Sequence, residues 1–295
     1  MGDNVITESK DVVIENGDFK NKNSQSIFDE QFDFGAYSLI EVAMAVESEL
    51  TGITVKQIKN DLQLQHIVIQ SKLAEYALAD KAKLNKLIDI VYHQQEFKGD
   101  WQAFFDVDNA LISKVLSRRK GIPISMGILL LDLLETCGFN VQGICFPSGF
   151  LICINLDNEI IYLDPFTGTL PSWHDLELKV RGQLGNYARL KLDMLKPDDN
   201  KTIIKRLINV IKAGYLQADI LPLALLSSDL LLRIDPDDAY EVRDRGFIFQ
   251  QLDCFKLASS DFEYFIEKYP KDPIVILLKQ QIKQMNIDGS HQILH

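Results

Sequence analysis

The sequence has no uninterrupted run of 18 apolar residues, the length that a membrane-spanning helix needs. Its N-terminus has no charged segment followed by an apolar one, so we expect no secretory signal. Its four cysteines form no C-x-x-C pair, which is a typical spacing of zinc sites. These absences predict a cytoplasmic protein with reduced thiols, no membrane partner, no metal and no cofactor.

Basic residues are fewer than acidic ones, with 31 Lys and Arg against 42 Asp and Glu, and the formal net charge is -11. Non-specific binding to nucleic acid needs a cationic surface, so this balance argues against a nucleic-acid partner. The tightest basic cluster, Arg118-Arg119-Lys120, is too short to change that expectation. With 46% hydrophobic and 25% charged residues, the chain has the composition of a folded protein of roughly two domains.

The sequence divides into four segments by composition. Residues 1–25 are polar and predict a flexible arm, and residues 289–295 predict a short tail. Residues 26–197 predict an α+β domain with a helical N-terminal part, because apolar residues recur at helical spacing from Leu39 to Phe97. Residues 198–288 predict an all-α helical array.

The middle of the chain predicts a central helix followed by an antiparallel sheet. Pro123 fits the first turn of the helix, the residues after it are apolar almost all round, and Gly138 is a typical C-cap. Three strands are expected after it, at Val141–Phe146, Phe150–Leu156 and Glu159–Asp164. A helix followed by such a meander belongs to the α+β class.

The predicted hairpin brings together three positions that have the geometry of a catalytic site. A two-residue turn at Asp157-Asn158 would place Asp164 opposite Leu151, with Gly149 as its diagonal neighbour. Ser125 lies in the first turn of the central helix, where free N–H groups favour a nucleophile or an anion. A nucleophile there, facing a base and a carboxylate, is the Cys-His-Asp arrangement of nucleophilic catalysis. Here the three places hold Ser, Gly and Asp, so the base is missing.

An aromatic and polar stretch, Lys98–Asp108, predicts a structured loop. We expect its Trp101, Phe104 and Phe105 to fold back onto the core. A small-ligand pocket at these side chains is the alternative, and it depends only on their aromatic character.

A period of 34 residues in the C-terminal third predicts tetratricopeptide repeats, since Pro236 and Pro270 are separated by that distance. The unit at 239–272 fits well. Its small and aromatic positions, which let two helices approach closely, are Gly246, Ala258 and Phe262. The preceding unit, 205–238, is looser, because Lys212 stands at the place of the next unit's glycine. Two units seldom stand alone, so we expect the array to lean on the N-terminal part.

Three strings carry a resemblance to a known family: SRRKGIPIS, VQGICFPSGFLICI and YLDPFTG. They are similar to strings in the SirB-type bacterial proteins, which join a transglutaminase-like (papain-like) domain to tetratricopeptide repeats. The resemblance covers about residues 30–285. The family pattern R-R-x-G-x-P-x-S falls on Arg118, Arg119, Gly121, Pro123 and Ser125. Its Phe-Pro-Gly-His-Phe-Leu segment falls on Phe146, Pro147, Ser148, Gly149, Phe150 and Leu151, and its Asp-Pro-Phe segment falls on Asp164, Pro165 and Phe166.

The resemblance implies a transglutaminase-like domain that has lost its catalytic histidine. True transglutaminases have a cysteine at the place of Ser125, and many SirB-type members already carry serine there. Those members keep the histidine, whereas this sequence has Gly149 at that place. The resemblance also implies an indirect link to bacterial regulation of gene expression.

Each residue of this constellation also has a structural interpretation. Ser125 is a common capping residue, and Asp164 before a proline commonly accepts backbone hydrogen bonds in a turn. Cys153 has the strand parity of Gly149, but a thiol in apolar surroundings is normally inert. His174 would have to reach back from a helix start to act as the base.

We therefore predict a non-catalytic scaffold that binds a protein or peptide partner. The candidate docking surfaces are the concave face of the array and the cleft left open at Gly149. The candidate binding residues are Arg118, Arg119, Trp101, Phe150, Gly246 and Phe249. We expect the two arginines to anchor their loop to acidic neighbours rather than to bind phosphate. The alternative function is a residual hydrolase or acyl transferase with Ser125 or Cys153 as nucleophile.

Overall fold

The computed structural model describes residues 32–157 and 159–292. The predicted arm at residues 1–25 lies outside these ranges, as do residues 293–295 of the predicted tail. The α-helices are α1 (Leu39–Thr51), α2 (Val55–Ala74), α3 (Asp80–Asp89), α4 (Ile112–Arg118), α5 (Pro123–Thr136), α6 (Trp173–Leu184), α7 (Asn200–Gln217), α8 (Leu221–Ile234), α9 (Ala239–Gln251), α10 (Phe255–Lys268) and α11 (Val275–Gln292). The strands are β1 (Lys98–Gly99), β2 (Lys120–Gly121), β3 (Asn140–Ile144), β4 (Leu151–Leu156) and β5 (Glu159–Leu163).

Capping residues fix the starts of the first two helices. The hydroxyl of Ser38 accepts a hydrogen bond from the backbone N–H of Glu41, and the Glu41 carboxylate accepts one from the backbone N–H of Ser38. Thr54 and Gln57 form the same reciprocal box at the start of α2. The predicted helical spacing between Leu39 and Phe97 is thereby confirmed as α1, α2 and α3.

The central helix α5 forms as predicted. Pro123 is its first residue, where the fixed φ of proline suits the helix and no backbone N–H is lost. Gly138 follows its C-terminus with a φ of 87°, which a residue with a side chain adopts only with strain. The helix is apolar almost all round because most of it lies inside the main core, and its polar residues Asp132 and Glu135 lie near its C-terminal end.

The three-stranded sheet has the order β3-β4-β5 and is antiparallel throughout. Ile152 pairs with Leu163, and Ile154 pairs with Ile161. The two residue numbers have the same sum in each pair, which is the register that a two-residue turn at 157–158 requires. Asp157 has a φ of 49°, the left-handed conformation that a tight hairpin turn needs, while residue 158 lies outside the described ranges. The register predicted from the turn is confirmed.

The aromatic loop differs from its prediction. Trp101 is 72% exposed and Phe105 is 67% exposed, so neither is buried in the core. Phe104 is partly buried against the core, and Trp101 contacts the core through the ring of Phe166. Backbone pairing and ion pairs hold the loop in place instead of aromatic burial. The short parallel pair β1–β2 fixes its start, with Lys98 opposite Lys120.

Two layers of apolar side chains surround the sheet. The larger cluster joins α1 to α5, one face of the sheet, α7 and α8. A smaller cluster lies between the other face of the sheet and α6, where Leu176 and Val180 are buried. The helical array therefore packs against the α+β part, as expected, and an ion pair between Arg233 and Glu49 at 2.9 Å reinforces the contact.

The array consists of the helix pairs α7–α8 and α9–α10, followed by α11. Ala224 and Ala258 occupy equivalent positions and are fully buried. At Gly246, a Cβ atom would lie only 2.7 Å from the ring of Phe262, so this glycine allows α9 and α10 to approach closely. These contacts confirm the repeat geometry at the unit 239–272.

The preceding unit fills the same space with different chemistry. Lys212 and Ser228 stand 34 residues before Gly246 and Phe262, respectively. The Lys212 ammonium lies 2.7 and 2.6 Å from the two carboxylate oxygens of Glu241, and the Ser228 hydroxyl donates to the same carboxylate. Lys212 is long where Gly246 has no side chain, and Ser228 is short where Phe262 is large. Glu241 of α9 completes the contact between the units.

Candidate functional site

A cleft lies between the N-terminus of α5, the ends of β4 and β5, and α6. Its volume is about 80 Å³, enough for two or three water molecules or a small side chain. The cleft is lined by Trp101, Phe104, Pro123, Phe146, Ser148, Gly149, Phe150, Leu151, Asp164, Phe166 and Lys179. The structure thereby brings Gly149 and Asp164 to one place, as the sequence predicted.

Ser125 does not face this cleft. It is the third residue of α5 and is fully buried, and its hydroxyl donates to the backbone carbonyl of Asn109 at 2.5 Å. The same oxygen accepts from the backbone N–H of Ile122 at 3.2 Å. The bond from Ile122 caps the start of the helix, which confirms the structural interpretation of this residue, and the bond to Asn109 ties that start to an earlier turn. A hydroxyl so placed has neither a base beside it nor an open approach for a substrate.

Gly149 leaves the wall of the cleft open. A Cβ atom at this position would meet only the ring of Pro123, at 3.5 Å, which is an ordinary contact distance. The backbone N–H of Gly149 donates to the carbonyl of Phe146 at 3.0 Å and closes a turn. A methyl group would therefore fit here without moving its neighbours, and the glycine widens the cleft.

Asp164 has partners that differ from those of a catalytic carboxylate. One oxygen accepts from the backbone N–H of Phe166 at 2.8 Å, which confirms the predicted turn contact. The other lies 2.7 Å from the ammonium of Lys179, which reaches over from α6. Where a triad would place an imidazole, this buried carboxylate has a lysine.

The two substitute residues do not enter the cleft. Cys153 is buried between the sheet and α6, and desolvation raises the pKa of its thiol, which disfavours the reactive thiolate. His174 is exposed in the first turn of α6, after the capping residue Ser172. In the part of the chain that the structure describes, the residues around the cleft include no histidine.

Arg118 holds the aromatic loop to the body of the domain. Its guanidinium lies 3.4–3.5 Å from the carboxylates of Asp100, Asp106 and Asp108. The prediction that Arg118 anchors a loop to acidic neighbours is confirmed. Arg119 adopts a φ of 55° at the end of α4 and contributes its carbonyl, which accepts from the N–H of Lys98.

The loop so held presents an aromatic surface beside the cleft. The exposed ring of Trp101 packs edge-on against Phe166, with 4.4 Å between the ring centroids. Phe105 packs edge-on against Phe104 and does not line the cleft. Trp101 is thus a large exposed side chain at the edge of the cleft.

The remaining predicted binding residues serve other purposes. Phe150 is buried, and its ring fills the space beside Gly127 and Gly143 of α5 and β3. Gly246 is buried against Phe262, so a partner would not touch it. Phe249 is partly buried, with the guanidinium of Arg245 at 5.6 Å from its ring centre. Gly246 is corrected to a packing residue, whereas Phe150 packs inside the domain and also contributes to the lining of the cleft.

Sequence reasoning missed Lys179, the one cationic side chain that lines the cleft among the described residues. It stands 15 residues after Asp164, on a helix whose packing direction depends on its buried Leu176 and Val180. The helical spacing of Leu176 and Val180, four residues apart, would have shown which face of α6 is buried. It would not have shown that Lys179 reaches Asp164.

Neither a metal site nor a membrane span is found in the described ranges. No group of three or more His, Cys, Asp or Glu side chains in residues 32–157 and 159–292 is arranged to hold a metal ion. Among the same residues, no helix has the length and apolar character needed to cross a bilayer.

Comparison with known proteins identifies two family matches and several relatives. The model of the transglutaminase-like superfamily matches residues 46–209, and a tetratricopeptide repeat model matches residues 211–283. A UPF0162 protein of Vibrio cholerae is 42% identical over 87% of this chain and 96% of its own length. The UPF0162 protein YchA of Escherichia coli K12 is 30% identical over 90% of this chain and 98% of its own length. Protein SirB1 of Salmonella typhimurium is 32% identical over 70% of this chain and 77% of its own length. No solved structure matches the chain.

Proposed function

The chain belongs to the family of SirB1 and UPF0162 proteins, which join a transglutaminase-like domain to tetratricopeptide repeats, and we propose that it is a non-catalytic scaffold for a protein or peptide partner. Tetratricopeptide arrays generally bind other proteins through their extended surfaces. The proposal includes the indirect link to bacterial regulation that the SirB-type resemblance implies.

The environment of Ser125 is the single observation that carries this proposal. Its hydroxyl is fully buried and hydrogen-bonded to the backbone at Asn109 and Ile122. Acyl transfer needs a nucleophile that is exposed to substrate and activated by an adjacent base. At the positions equivalent to the triad, this chain offers a capping hydroxyl, a glycine and a carboxylate bound by Lys179.

The cleft beside Gly149 has features of a binding site rather than of a reaction site. Trp101 stands exposed at its edge, Phe166 forms an aromatic wall, and Lys179 supplies a charged group. Aromatic walls beside the paired charges of Lys179 and Asp164 combine apolar contact with polar groups that can orient a ligand. Because the histidine side chain is absent, a side chain of the partner can enter there.

A residual hydrolase would have to use Ser125 or Cys153 as nucleophile. The first is enclosed by the start of α5, and the second is enclosed by α6. No contact in the described structure favours this second function, so we do not propose it.

The proposal is tested by partner capture with matched variants of one loop. Full-length tagged protein is incubated with bacterial lysate, and the retained proteins are identified by mass spectrometry. Trp101→Ala removes the aromatic side chain at the cleft. Phe105→Ala removes a similarly exposed aromatic side chain that does not line the cleft.

We expect Trp101→Ala to lose partners that both the wild type and Phe105→Ala retain. Ser125→Ala, once shown to be folded, is expected to retain them as well, because its hydroxyl has no part in binding. Identical captured proteins for the wild type and Trp101→Ala would contradict the assignment of the cleft. Loss of partners in folded Ser125→Ala alone would contradict the scaffold proposal.

A further inference from the structure

The two outer strands of the sheet differ in how their edges are covered. At β3, the carbonyl of Gly143 accepts from the backbone N–H of Asp198 at 2.9 Å. The carboxylate of Asp198 accepts from the backbone N–H of Cys145 at 2.7 Å. The end of this edge at Gly143 and Cys145 is therefore covered by the segment that leads into α7.

The backbone at the end of β5 shows which of its groups point outward. Asp164 donates its N–H to the carbonyl of Thr169 and accepts from the N–H of Gly168, both at 2.9 Å, so its groups point away from β4. Along a strand these groups alternate in direction. It follows that the N–H and C=O groups of Ile160 and Tyr162 also point away from β4, whereas those of Ile161 point toward it.

These outward groups of Ile160 and Tyr162 have no hydrogen-bond partner among residues 32–157 and 159–292. Ile160 is 58% exposed, and Ile161 and Tyr162 are only partly buried, so another chain can reach the edge. An edge with free donors and acceptors beside an exposed β-branched side chain is a template for an added strand.

We propose that the edge of β5 binds an extended segment of a partner protein, which pairs with Ile160 and Tyr162 through up to four backbone hydrogen bonds. This inference deepens the proposed function by naming a mode of docking. Its site is separate from the cleft, so either assignment can fail while the other stands.

A second copy of the chain fits this edge poorly. In a dimer that uses all the free backbone groups, the two β5 strands would have to pair antiparallel with Ile161 at the centre. Ile160 of one copy would then lie opposite Tyr162 of the other. The turn after β4 of the second copy would then lie opposite Asp164, in the place that Thr169 already occupies. A peptide segment can bend away at that point, and a hairpin cannot.

Charge indicates the chemistry of the segment. Asp157 and Glu159 are exposed at the open end of the strand, and Lys81 is the cation that pairs there, at 3.8 Å from Glu159. One negative charge remains in excess, on a chain with a net charge of -11. We therefore expect a segment with an apolar side chain next to Ile160 and a basic residue at the end near Asp157.

Amide hydrogen exchange of the full-length protein, measured by NMR, tests the edge directly. The amides of Ile160 and Tyr162 should exchange fast at both low and high protein concentration. The amides of Ile161 and Leu163, which point toward β4, should exchange slowly and report that the sheet is folded. Slow exchange of Ile160 and Tyr162 at every concentration would mean that the chain covers its own edge, and protection only at high concentration would mean self-association. Either result would overturn the proposal.

The partner segment is tested with peptides selected from a random 12-residue library on the full-length protein. A selected peptide should slow exchange at Ile160 and Tyr162 and bind more weakly as salt is added. Ile160→Pro removes one outward N–H and leaves the ladder to β4 intact, so it should weaken binding at least tenfold. Ile160→Val keeps the N–H and should bind as the wild type does. Failure to select any peptide, or equal binding to folded Ile160→Pro, would overturn the proposal.

Discussion

Replacing Lys212 with methionine removes the positive charge from the contact between the two repeat units and keeps the length of the side chain. Lys212 and Glu241 are each only 7% exposed, and their closest atoms are 2.6 Å apart. Burial raises the pKa of Glu241, while Lys212 and the Ser228 hydroxyl oppose that rise. In the variant, burial is no longer balanced by the ammonium group.

The expected cost follows from the charge left behind. Removing one partner of a buried ion pair destabilises a protein by about 3–5 kcal/mol, because the other charge stays buried without compensation. Typical domains have only about 5–15 kcal/mol of stability, so the loss is large. The folded-state pKa of Glu241 in the variant lies above its unfolded value. The penalty therefore grows as pH rises through that range and is smaller at pH 5 than at pH 8.

Urea unfolding followed by circular dichroism at pH 5 and pH 8 measures this loss. Lys212→Met/Glu241→Gln removes both charges and should recover most of the stability lost at pH 8. Lys205→Met is the matched control, because Lys205 also pairs with carboxylates but at a more exposed site. Its partners, Asp235 and Asp238, lie between α8 and α9. A loss below about 1 kcal/mol for Lys212→Met at pH 8, the ordinary scale of a surface pair, would refute the reasoning. A double variant no more stable than the single one would refute it as well.

Three further outcomes are expected. Burial and neighbouring carboxylates raise the pKa of Asp132 to about 6. Asp132→Asn should therefore stabilise the protein by about 1–3 kcal/mol above pH 6 and by almost nothing near pH 4, as measured by thermal unfolding across pH. A gain in stability that is equal at both pH values would contradict this. Ser125→Ala should cost about 0.5–1.5 kcal/mol in urea unfolding, because it removes the buried hydroxyl's hydrogen bonds, while the Ile122 N–H keeps its bond to the Asn109 carbonyl at 3.2 Å; an unchanged midpoint would contradict the capping role. Gly149→Ala should be tolerated, whereas Gly127→Ala should lower the melting temperature, because its Cβ would lie 2.2 Å from the ring of Phe150; equal melting temperatures would show that this contact relaxes freely.

Local signals predicted much of the fold from sequence. The turn at Asp157 fixed the register of β4 and β5, because a two-residue hairpin leaves no freedom in pairing. Pro123 and Gly138 marked the ends of the central helix, and these depend only on local backbone conformation. The repeat period placed Gly246 against α10, since helix packing at that spacing needs a small residue.

Contacts between distant segments were not predictable in the same way. The aromatic pattern suggested that Trp101 folds back onto the core, but its ring is exposed. The sequence predicted that Arg118 binds acidic neighbours, but it did not show that these are three aspartates of the aromatic loop. The first repeat unit departs from the repeat pattern at Lys212, and the sequence did not show that Glu241 of the next unit would pair with this lysine. Lys179 reached Asp164 only because α6 packs on the sheet. In each case the sequence holds both partners but no spacing that joins them.

The edge of β5 shows a third kind of limit. The sequence predicted the strand itself, but not that Asp198 would cover the opposite edge. Nor did it show that Thr169 would pair only with Asp164. Which backbone groups stay free depends on segments that arrive from elsewhere in the fold.

The central claim, that the enclosed Ser125 hydroxyl no longer serves acyl transfer, is tested most directly by covalent probes. Full-length protein is treated with a fluorophosphonate and, separately, with iodoacetamide, and intact mass is compared with that of Ser125→Ala and Cys153→Ala. We predict no stoichiometric labelling by the fluorophosphonate and no modification by iodoacetamide that Cys153→Ala abolishes. Stoichiometric labelling that disappears in Ser125→Ala or in Cys153→Ala would contradict the account.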